Sequence, residues 1–287
     1  MKIQEQAPAK INLALNILGR RTDGYHELRM VMQSVSFCDT VTVEETGIGF
    51  ALLADGFTVP AGKSSLEQQA AEAFFAAVGR PMPPLTVHLE KTTPAYAGLG
   101  GGSADVAALL RCLRRQYAPE MPVEQLRAIG LTVGSDMPFC VSGGTALAEG
   151  RGERLTALPA LPDCWIVLCK PEFGIPTPAL FTLADAGTPK NRPDIDGMIR
   201  ALSAGDLDGV AARLCNVFEE FLPEEYHEVF HIKNRLLELG ALNAAMSGSG
   251  PTVFGIFREK TAAKAAETAL KQCYPQTYLA KPVGELV

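Results

Sequence analysis

A run of glycines that leads directly into a helical pattern constrains this chain more than any other feature. Residues 94–104 read PAYAGLGGGSA, and the apolar spacing that begins at Ser103 predicts a helix to about Tyr117. Glycine permits backbone angles with φ > 0 and lets a ligand approach the main chain closely. The first N–H groups of a helix lack partners within it and carry the positive end of its dipole. The run therefore predicts an anion site, of which phosphate is a common occupant.

The same residues are open to other interpretations. A glycine-rich turn with Ser103 as a helix cap would have this composition without any ligand. A Walker A loop ends in Gly-Lys-Ser or Gly-Lys-Thr, and this run contains neither. A dinucleotide fingerprint has its third glycine at the position that Ser103 occupies here. The protein-kinase triplets HRD and DFG occur nowhere in the sequence. The glycine density and the Ala-rich first turn favour a nucleotide phosphate over an empty turn.

Composition and charge limit the classes of partner. The 287 residues carry 26 Lys and Arg against 32 Asp and Glu, a net charge of −6, which favours neither nucleic acid nor a membrane surface. No apolar run reaches the length of a membrane span. The seven cysteines form no CxxC pair, so neither zinc nor a disulfide framework is expected. We predict a cytoplasmic protein with a small-molecule partner, either a monomer or a weak dimer.

Strand and helix patterns alternate irregularly along the chain. This irregular mixture, without regular βαβ alternation, predicts an α+β fold. Residues 134–152 are interpreted as mainly loop, and the proline-containing stretch at 158–163 predicts a boundary between domains 1–157 and 158–287. The patterns predict strands at 10–19, within 30–43 and at 85–89, 164–169 and 277–281, helices at 65–78, 103–117 and 261–273, amphipathic helices between 194 and 239, and a hairpin at 243–257.

Four segments together resemble the GHMP small-molecule kinases. They are PAKINL at 8–13, the glycine run, which has the PxxxGLGxS-type signature with one additional glycine, GSD at 134–136 and SGSGPT at 247–252. Their order and spacing extend over essentially the whole chain. The resemblance implies a two-domain α+β fold with the active site in the cleft between the domains. It also implies transfer of the γ-phosphate of ATP, with Mg²⁺, to an alcohol.

The segment RTDGYHE at 21–27 is similar to a narrower branch of these kinases. The substrate of that branch is CDP-methylerythritol, a CDP-linked sugar alcohol of the non-mevalonate isoprenoid pathway. Tyr25 and Phe181 are then expected to cover the two faces of the cytosine. A hairpin turn at Asp-Gly and core packing of Phe181 are the alternatives. The resemblance implies five substrate-binding residues: Asn12, Tyr25, His26, Thr177 and Phe181.

The catalytic and nucleotide-binding residues are carried over in the same way. Asp136 is expected to accept the proton of the substrate hydroxyl or to orient that group, and Lys10 to pair with Asp136 and share the developing charge. Taken singly, Asp136 has the position of a helix cap and Lys10 that of a surface lysine. Ser103 is also expected to contact phosphate or the Mg²⁺ of Mg-ATP. The nucleotide-binding residues implied are Ser65, Pro94, Gly98, Leu99, Gly100, Gly101, Gly102, Ser103 and Ala104.

Two departures from the family pattern and three alternative functions complete the prediction. Ser65 stands where an asparagine associated with the adenine end is usual, and Thr93 precedes Pro94 where an aliphatic residue is usual. A related kinase acting on homoserine or mevalonate and a non-catalytic nucleotide-binding protein are the main alternatives. A nicotinamide dehydrogenase is disfavoured, because Glu120, at about the spacing of its acidic residue, lies in a proline-flanked loop rather than at a strand end.

Overall fold

The computed structural model describes residues 2–54 and 64–287, which form two sheets and the helices packed on them. Two short 3-10 turns, Val217–Phe221 and Glu224–Tyr226, lie in the second half of the chain. The elements in chain order are β1 (Lys2–Arg20), β2 (His26–Glu44), β3 (Phe50–Ala54), α1 (Leu66–Ala77), β4 (Leu85–Glu90), α2 (Gly101–Tyr117), α3 (Val123–Leu131), α4 (Met137–Ser142), β5 (Thr145–Gly150), β6 (Arg154–Ala157), β7 (Trp165–Cys169), α5 (Thr177–Asp185), α6 (Ile195–Ser203), α7 (Leu207–Ala211), β8 (Cys215–Asn216), α8 (Glu228–Glu238), β9 (Asn243–Met246), β10 (Val253–Phe257), α9 (Lys260–Lys271) and β11 (Thr277–Ala280).

The first sheet is built on two long antiparallel strands. β1 and β2 pair from Lys2 opposite Glu44 to Arg20 opposite His26. The strand order is β3-β4-β2-β1-β8, and β5 pairs with the first part of β2 and carries β6 at its side. α2 packs against β1 and β2 and is buried over most of its length. This packing brings the start of α2 beside the middle of β1.

The two faces of β1 have different neighbours. Ala9, Ile11 and Leu13 are fully buried in an apolar cluster that also contains Leu168 and Phe254 of the second sheet. Successive side chains of a strand point to opposite faces, so the residues between them, at 10 and 12, face the other way. The apolar residues of β1 thus fix the strand in the core and present its polar residues to one side.

The second sheet has the order β11-β7-β10-β9, with antiparallel pairs throughout. The β9–β10 hairpin is the one predicted at 243–257. Both hydrophobic clusters of the molecule contain side chains from before and after residue 157. The division into domains 1–157 and 158–287 therefore stays a prediction, because side chains of both parts pack together in the same two clusters.

A C-terminal strap, residues 281–286, returns from the second sheet to the first half of the chain. The Val283 amide donates to the carbonyl of Ser34 at 2.9 Å, and the Leu286 amide donates to the carbonyl of Ser142 at 2.8 Å. The Gln33 side chain donates to the Val283 carbonyl at 3.0 Å. The strap thereby joins β2 to the C-terminal end of α4.

Several sequence predictions are confirmed and others are wrong. α1 begins after Ser65, whose Oγ accepts from the Gln68 amide at 3.1 Å, as a helix cap does. The segment 134–152 is not mainly loop, because α4 and β5 occupy it between its glycines. β3, β6, α5 and β8 were not predicted. No helix in the described residues is long and apolar enough to cross a membrane.

Candidate active site

A cleft of about 910 Å³ is lined by residues of both halves of the chain. Its walls come from β1, the β1–β2 turn, the glycine run, the start of α4, α5 and the β9–β10 turn. Ser65 and Ala104 are the predicted site residues outside this lining. The cleft brings together the other predicted residues: Lys10, Asn12, Tyr25, His26, Pro94, Gly98, Leu99, Gly100, Gly101, Gly102, Ser103, Asp136, Thr177 and Phe181.

Lys10 is a buried cation on the polar face of β1. Its side chain is 6% exposed, and Nζ donates to Asn12 Oδ1 at 2.8 Å. Nζ also lies 3.8 Å from Asp136 Oδ2, whose side chain is 36% exposed to the cleft. The Lys10 backbone amide donates to the Leu99 carbonyl at 2.9 Å, which ties β1 to the glycine run. The pairing of Lys10 with Asp136 expected from the sequence is therefore present.

Asp136 occupies the cap position of α4 without capping it. Its carboxylate accepts no bond from the amides of the first turn of α4, although Asp is among the preferred residues at this position. The carboxylate instead faces the cleft and Lys10 Nζ. The helix-cap alternative thus describes the position of Asp136 in the chain correctly, but the side chain makes no capping hydrogen bond.

Glycine at 98, 100 and 101 is required by close neighbours. A Cβ at Gly98, where φ is +73°, would overlap the carbonyl oxygen of Ser247. A Cβ at Gly100, where φ is +68°, would lie 2.9 Å from Lys10 Cγ, and one at Gly101 would lie 2.8 Å from the Thr93 methyl group. A Cβ at Gly102 would meet no atom within 4 Å. Three of these positions therefore serve packing, whereas Gly102 leaves space beside the backbone.

The start of α2 differs from the prediction by two residues. α2 begins at Gly101 after Gly100 as its cap, so Ser103 is the third helical residue and not the cap. Among the described residues, none accepts a hydrogen bond from the amides of Gly101, Gly102 or Ser103. Ala104 is a correction to the predicted nucleotide-binding set. Its amide donates to the Gly100 carbonyl at 2.9 Å and Ala104 is buried, so its N–H is unavailable to a phosphate.

The turn between β9 and β10 packs against the glycine run. Ser247 Oγ donates to the Gly98 carbonyl at 3.0 Å, and the Thr252 amide donates to the Ala97 carbonyl at 3.3 Å. A Cβ at Gly248 would lie 3.1 Å from Lys10 Nζ. The second glycine-rich segment therefore forms part of the cleft wall and is also a tight hairpin turn.

A buried charged cluster behind the glycine run was not predicted. Lys91 Nζ donates to Asp39 Oδ2 and to Asp105 Oδ2, the latter at 2.5 Å, and Asp39 Oδ1 accepts from the Thr93 amide at 2.6 Å. Burial raises the pKa of Asp105 to about 7, against the opposing effect of Lys91. This cluster anchors the strand end before Pro94 to β2 and to the first turns of α2.

The aromatic residues expected around the cytosine are in contact with other side chains of the cleft. The ring of His26 stacks on Phe181 with centroids 4.4 Å apart, and its Nε2 lies 2.7 Å from Asp185 Oδ1. The guanidinium carbon of Arg151 lies 4.6 Å from the centroid of the Tyr25 ring, and Tyr25 is 52% exposed. Tyr25 and Phe181 thus both border the cleft, with one face of each ring already covered.

The remaining predicted residues differ in their availability to a ligand. Thr177 Oγ1 and Ser249 Oγ lie 2.7 Å apart across the cleft wall. Asn12 is buried, and its side-chain oxygen is engaged by Lys10. Ser65 lies outside the lining, and its hydroxyl caps α1. The next residue, Leu66, is exposed and lines the cleft, so Leu66 and not Ser65 borders the cavity here.

Comparison with known proteins gives the family. Residues 65–144 match the GHMP kinases N terminal domain, and residues 198–276 match GHMP kinases C terminal. The chain is 41% identical over 278 residues to 4-diphosphocytidyl-2-C-methyl-D-erythritol kinase of Moorella thermoacetica, covering 96% of this chain and 97% of that one. The protein of that name from Listeria monocytogenes is 39% identical over 290 residues, covering 99% and 97%.

The chain belongs to the 4-diphosphocytidyl-2-C-methyl-D-erythritol kinase family of GHMP kinases. It is accordingly a small-molecule kinase. A crystal structure of 4-(cytidine 5'-diphospho)-2C-methyl-D-erythritol kinase aligns with a TM-score of 0.82 at 32% identity, covering 98% of this chain and all of that one. A homoserine kinase from Cytophaga hutchinsonii aligns with a TM-score of 0.76 at 17% identity, covering 99% and 95%, and shares the fold.

Several residues of this kinase's cleft were not predicted from the sequence, and Arg151, Asp185 and Tyr96 are three of them. Arg151 follows a glycine in a turn, Asp185 ends a helix that was not predicted, and Tyr96 lies inside the glycine run. Tyr96 is 74% exposed with φ of +51°, an uncommon conformation for a residue with a Cβ. The signal available for Arg151 was its place between two glycines, which marks a turn but gives no direction for the side chain.

Proposed function

We propose that this protein transfers the γ-phosphate of ATP to the 2-hydroxyl of 4-diphosphocytidyl-2-C-methyl-D-erythritol, a step in isoprenoid precursor synthesis. The names of its relatives support the substrate. One observation carries the mechanism: the Lys10–Asp136 pair lies in the same cleft as the free amides at the start of α2. An anion site and an ion-paired carboxylate that face one cavity suit phosphoryl transfer to an alcohol, which depends on positioning and charge stabilisation.

The proposed mechanism divides the work between two walls of the cleft. The amides of Gly101, Gly102 and Ser103 bind the nucleotide phosphates, aided by the positive end of the α2 dipole. The substrate oxygen attacks the γ-phosphorus, the bond from that phosphorus to the β,γ-bridging oxygen breaks, and ADP leaves. Asp136 orients the hydroxyl and accepts its proton. The Lys10 ammonium stabilises the negative charge that develops at the transferred group.

We propose Mg²⁺ as the counter-ion of ATP. Mg²⁺ usually keeps several waters and takes one or two protein oxygens in addition to substrate phosphates. Ser103 fits that description, since it lines the cleft and carries a hydroxyl oxygen. Over residues 2–54 and 64–287, no group of three or more His, Cys, Asp or Glu side chains is arranged to hold a metal ion by itself. Bound with ATP, the ion would draw charge from the transferring phosphoryl group.

The substrate side of the cleft is proposed to hold the cytidine. Tyr25, His26, Phe181 and Thr177 border it, and stacking of a base on an aromatic ring contributes about 1–3 kcal/mol. Because His26 covers one face of Phe181, a cytosine would have to stack on the other face of that ring or take the place of His26. All of these residues belong to one chain, so a monomer would be sufficient for activity. A cytoplasmic location agrees with the use of ATP.

A coupled assay of ADP release tests the proposal. ATP and Mg²⁺ are supplied with CDP-methylerythritol, homoserine or mevalonate in parallel. We expect turnover with the first alcohol alone. Turnover with another alcohol would retain the kinase mechanism and reject the cytidine site. Binding of ATP without turnover of any of the three would favour a non-catalytic nucleotide-binding protein.

A further inference from the structure

Arg151 is a cleft residue to which the proposed mechanism gives no role. It lies in the turn between β5 and β6 and lines the cleft. A Cβ on the adjacent Gly152 would lie 3.8 Å from Asp136 Oδ1, so the backbone of this turn runs beside the carboxylate. The guanidinium group extends to the ring of Tyr25, 4.6 Å from its centroid. Arg151 therefore belongs to a turn that passes beside Asp136, and its guanidinium lies over the ring of Tyr25.

The charge of Arg151 has no carboxylate partner among the ion pairs of the described residues. The neighbouring Arg154, in the same hairpin, pairs with Glu27 at 2.6 Å. Glu153, two residues from Arg151, directs its carboxylate to the backbone amide of Arg151 at 2.5 Å and not to the guanidinium. Within residues 2–54 and 64–287, the one partner of the guanidinium is the face of Tyr25, a contact that leaves its N–H groups available.

Asp23 is a further acidic residue near this turn, and its bonds are already used. It accepts from the Tyr25 amide at 3.1 Å and pairs with Arg21 at 3.1 Å. The pKa of Asp23 is lowered: against the effect of desolvation, those two groups favour its charged form and Arg151 adds a smaller, longer-range attraction. Asp23 thus attracts Arg151 weakly but does not bind its guanidinium.

We propose that Arg151 binds the diphosphate that joins the cytidine to the alcohol in the substrate. The inference rests on the proposed function, which places the alcohol at Asp136 and the base at Tyr25. In the substrate the diphosphate lies between these two ends, and Arg151 extends from the turn beside Asp136 to the ring of Tyr25. A guanidinium presents N–H groups in a planar fork that matches phosphate oxygens, and such charge-assisted bonds are stronger than neutral ones.

A ligand series separates recognition of the diphosphate from recognition of the base. Calorimetric titration with cytidine, CMP and CDP is carried out on the wild-type protein and on Arg151→Gln. We expect the wild type to bind CDP at least tenfold more tightly than cytidine. In Arg151→Gln that preference should fall to about threefold or less, while the Kd of cytidine changes less than twofold. Arg151→Lys, which keeps the charge without the fork, should lie between them.

Arg154→Gln is the matched control, because it removes the same charge from the same hairpin outside the cleft lining. It should leave the whole ligand series unchanged. In turnover assays Arg151→Gln should raise the KM for the CDP-linked alcohol at least tenfold and leave the KM for ATP within twofold of the wild-type value. A rise in both KM values would indicate a general loss of charge in the cleft and would overturn the assignment.

Two further outcomes would also overturn it. Equal weakening of cytidine and CDP binding in Arg151→Gln would show that Arg151 only supports the ring of Tyr25. A wild-type protein that binds CDP no more tightly than cytidine would refute the diphosphate site, even if it turns over CDP-methylerythritol. Conversely, an Arg151-dependent preference for CDP in a protein that does not turn over that alcohol would leave this inference standing and reject the proposed function.

Discussion

At the scale of single residues, Asp136 is the side chain whose replacement best separates chemistry from binding. The Asp136 side chain makes no bond to the first turn of α4, so α4 should form normally in Asp136→Asn. The amide cannot accept the hydroxyl proton, and we expect kcat to fall about 10²- to 10⁴-fold. The affinity for ATP should stay within about threefold, because the phosphates are proposed to lie on the α2 wall.

Steady-state kinetics and nucleotide titration of Asp136→Asn check this prediction. Asp163→Asn, which removes one carboxylate outside the cleft lining, is the control and should behave as the wild type. An unchanged kcat in Asp136→Asn would eliminate Asp136 as the group that handles the proton. A loss of ATP affinity comparable to the loss of rate would assign it to nucleotide binding instead.

Asp105 gives a residue-scale prediction for pH. Its pKa is about 7 in the folded protein, above its ordinary value of 3.8, so the folded state binds the proton more tightly than the unfolded state. Its protonation therefore stabilises the fold at low pH, and that stabilisation is lost as pH rises from about 4 to about 7. Asp105→Asn removes this titration. The free energy of unfolding of the variant, minus that of the wild type, should increase between pH 5 and pH 7 by about 2 kcal/mol.

Urea denaturation of the two proteins at pH 5, 6 and 7 measures that difference. Other titrating groups cancel in the subtraction wherever the substitution leaves their surroundings unchanged. A difference that stays constant over the three pH values would show that Asp105 is ionised throughout, with Lys91 fully compensating its burial.

At the scale of elements, two adjacent glycines in the first turn of α2 differ in their surroundings. Gly101 packs closely against Thr93, whereas Gly102 leaves space for a ligand. Gly102→Ala places a methyl group where no atom lies within 4 Å and where the backbone is helical. The fold should gain about 0.5 kcal/mol, because Ala is a better helix former than Gly. The same methyl group would fill the space in front of the free amides, and we expect ATP affinity to fall at least tenfold.

Gly102→Ala is thus expected to raise the stability of the fold and to lower its affinity for ATP. Gly101→Ala is the matched comparison, since its Cβ would lie 2.8 Å from the Thr93 methyl group and should destabilise the protein. Thermal denaturation and ATP titration on both variants give the answer. If Gly102→Ala retained full ATP affinity, the phosphates would have to bind elsewhere than beside these amides.

The elements also show what sequence patterns can and cannot predict. α1 and its Ser65 cap, the strand at 85–89 and the 243–257 hairpin follow from local signals. α4 was hidden because glycines at 134, 143 and 144 surround its six residues and suggested a loop. The Lys91 cluster was missed because its two carboxylates come from β2 and α2, and nothing near Lys91 in the sequence indicates them. The Lys10–Asp136 pairing came from the resemblance to a family, not from spacing.

At the scale of the whole molecule, the C-terminal strap joins segments that are about 250 positions apart. Deletion of residues 283–287 removes its bonds to Ser34 and Ser142 and from the Gln33 side chain. At about 0.5–1.5 kcal/mol for each bond, we expect the free energy of unfolding to fall by about 2 kcal/mol or more. Because Asp136 immediately precedes α4, kcat should fall as well, with little change in ATP affinity.

Urea denaturation and kinetics of the truncated protein test this prediction. Glu285→Gln, which keeps the backbone bonds of the strap and removes one exposed charge, is the control. Equal stability of the truncated and full-length proteins would show that the strap only covers the surface. No local pattern predicted this connection, since its partners are identified only by the completed fold.

The position of the strap in the chain also has a consequence for synthesis. A ribosome makes β1, β2 and α4 before the strap, so a growing chain contains the carbonyls of Ser34 and Ser142 while the amides that donate to them, those of Val283 and Leu286, are still missing. Bringing together segments so far apart in the chain costs conformational entropy, and the bonds of the strap offset that cost only once the segments have met. The support of the helix that follows Asp136 is therefore completed only once residues 283–286 have been made, and a translation product truncated before them would carry the proposed catalytic carboxylate on an unfinished support.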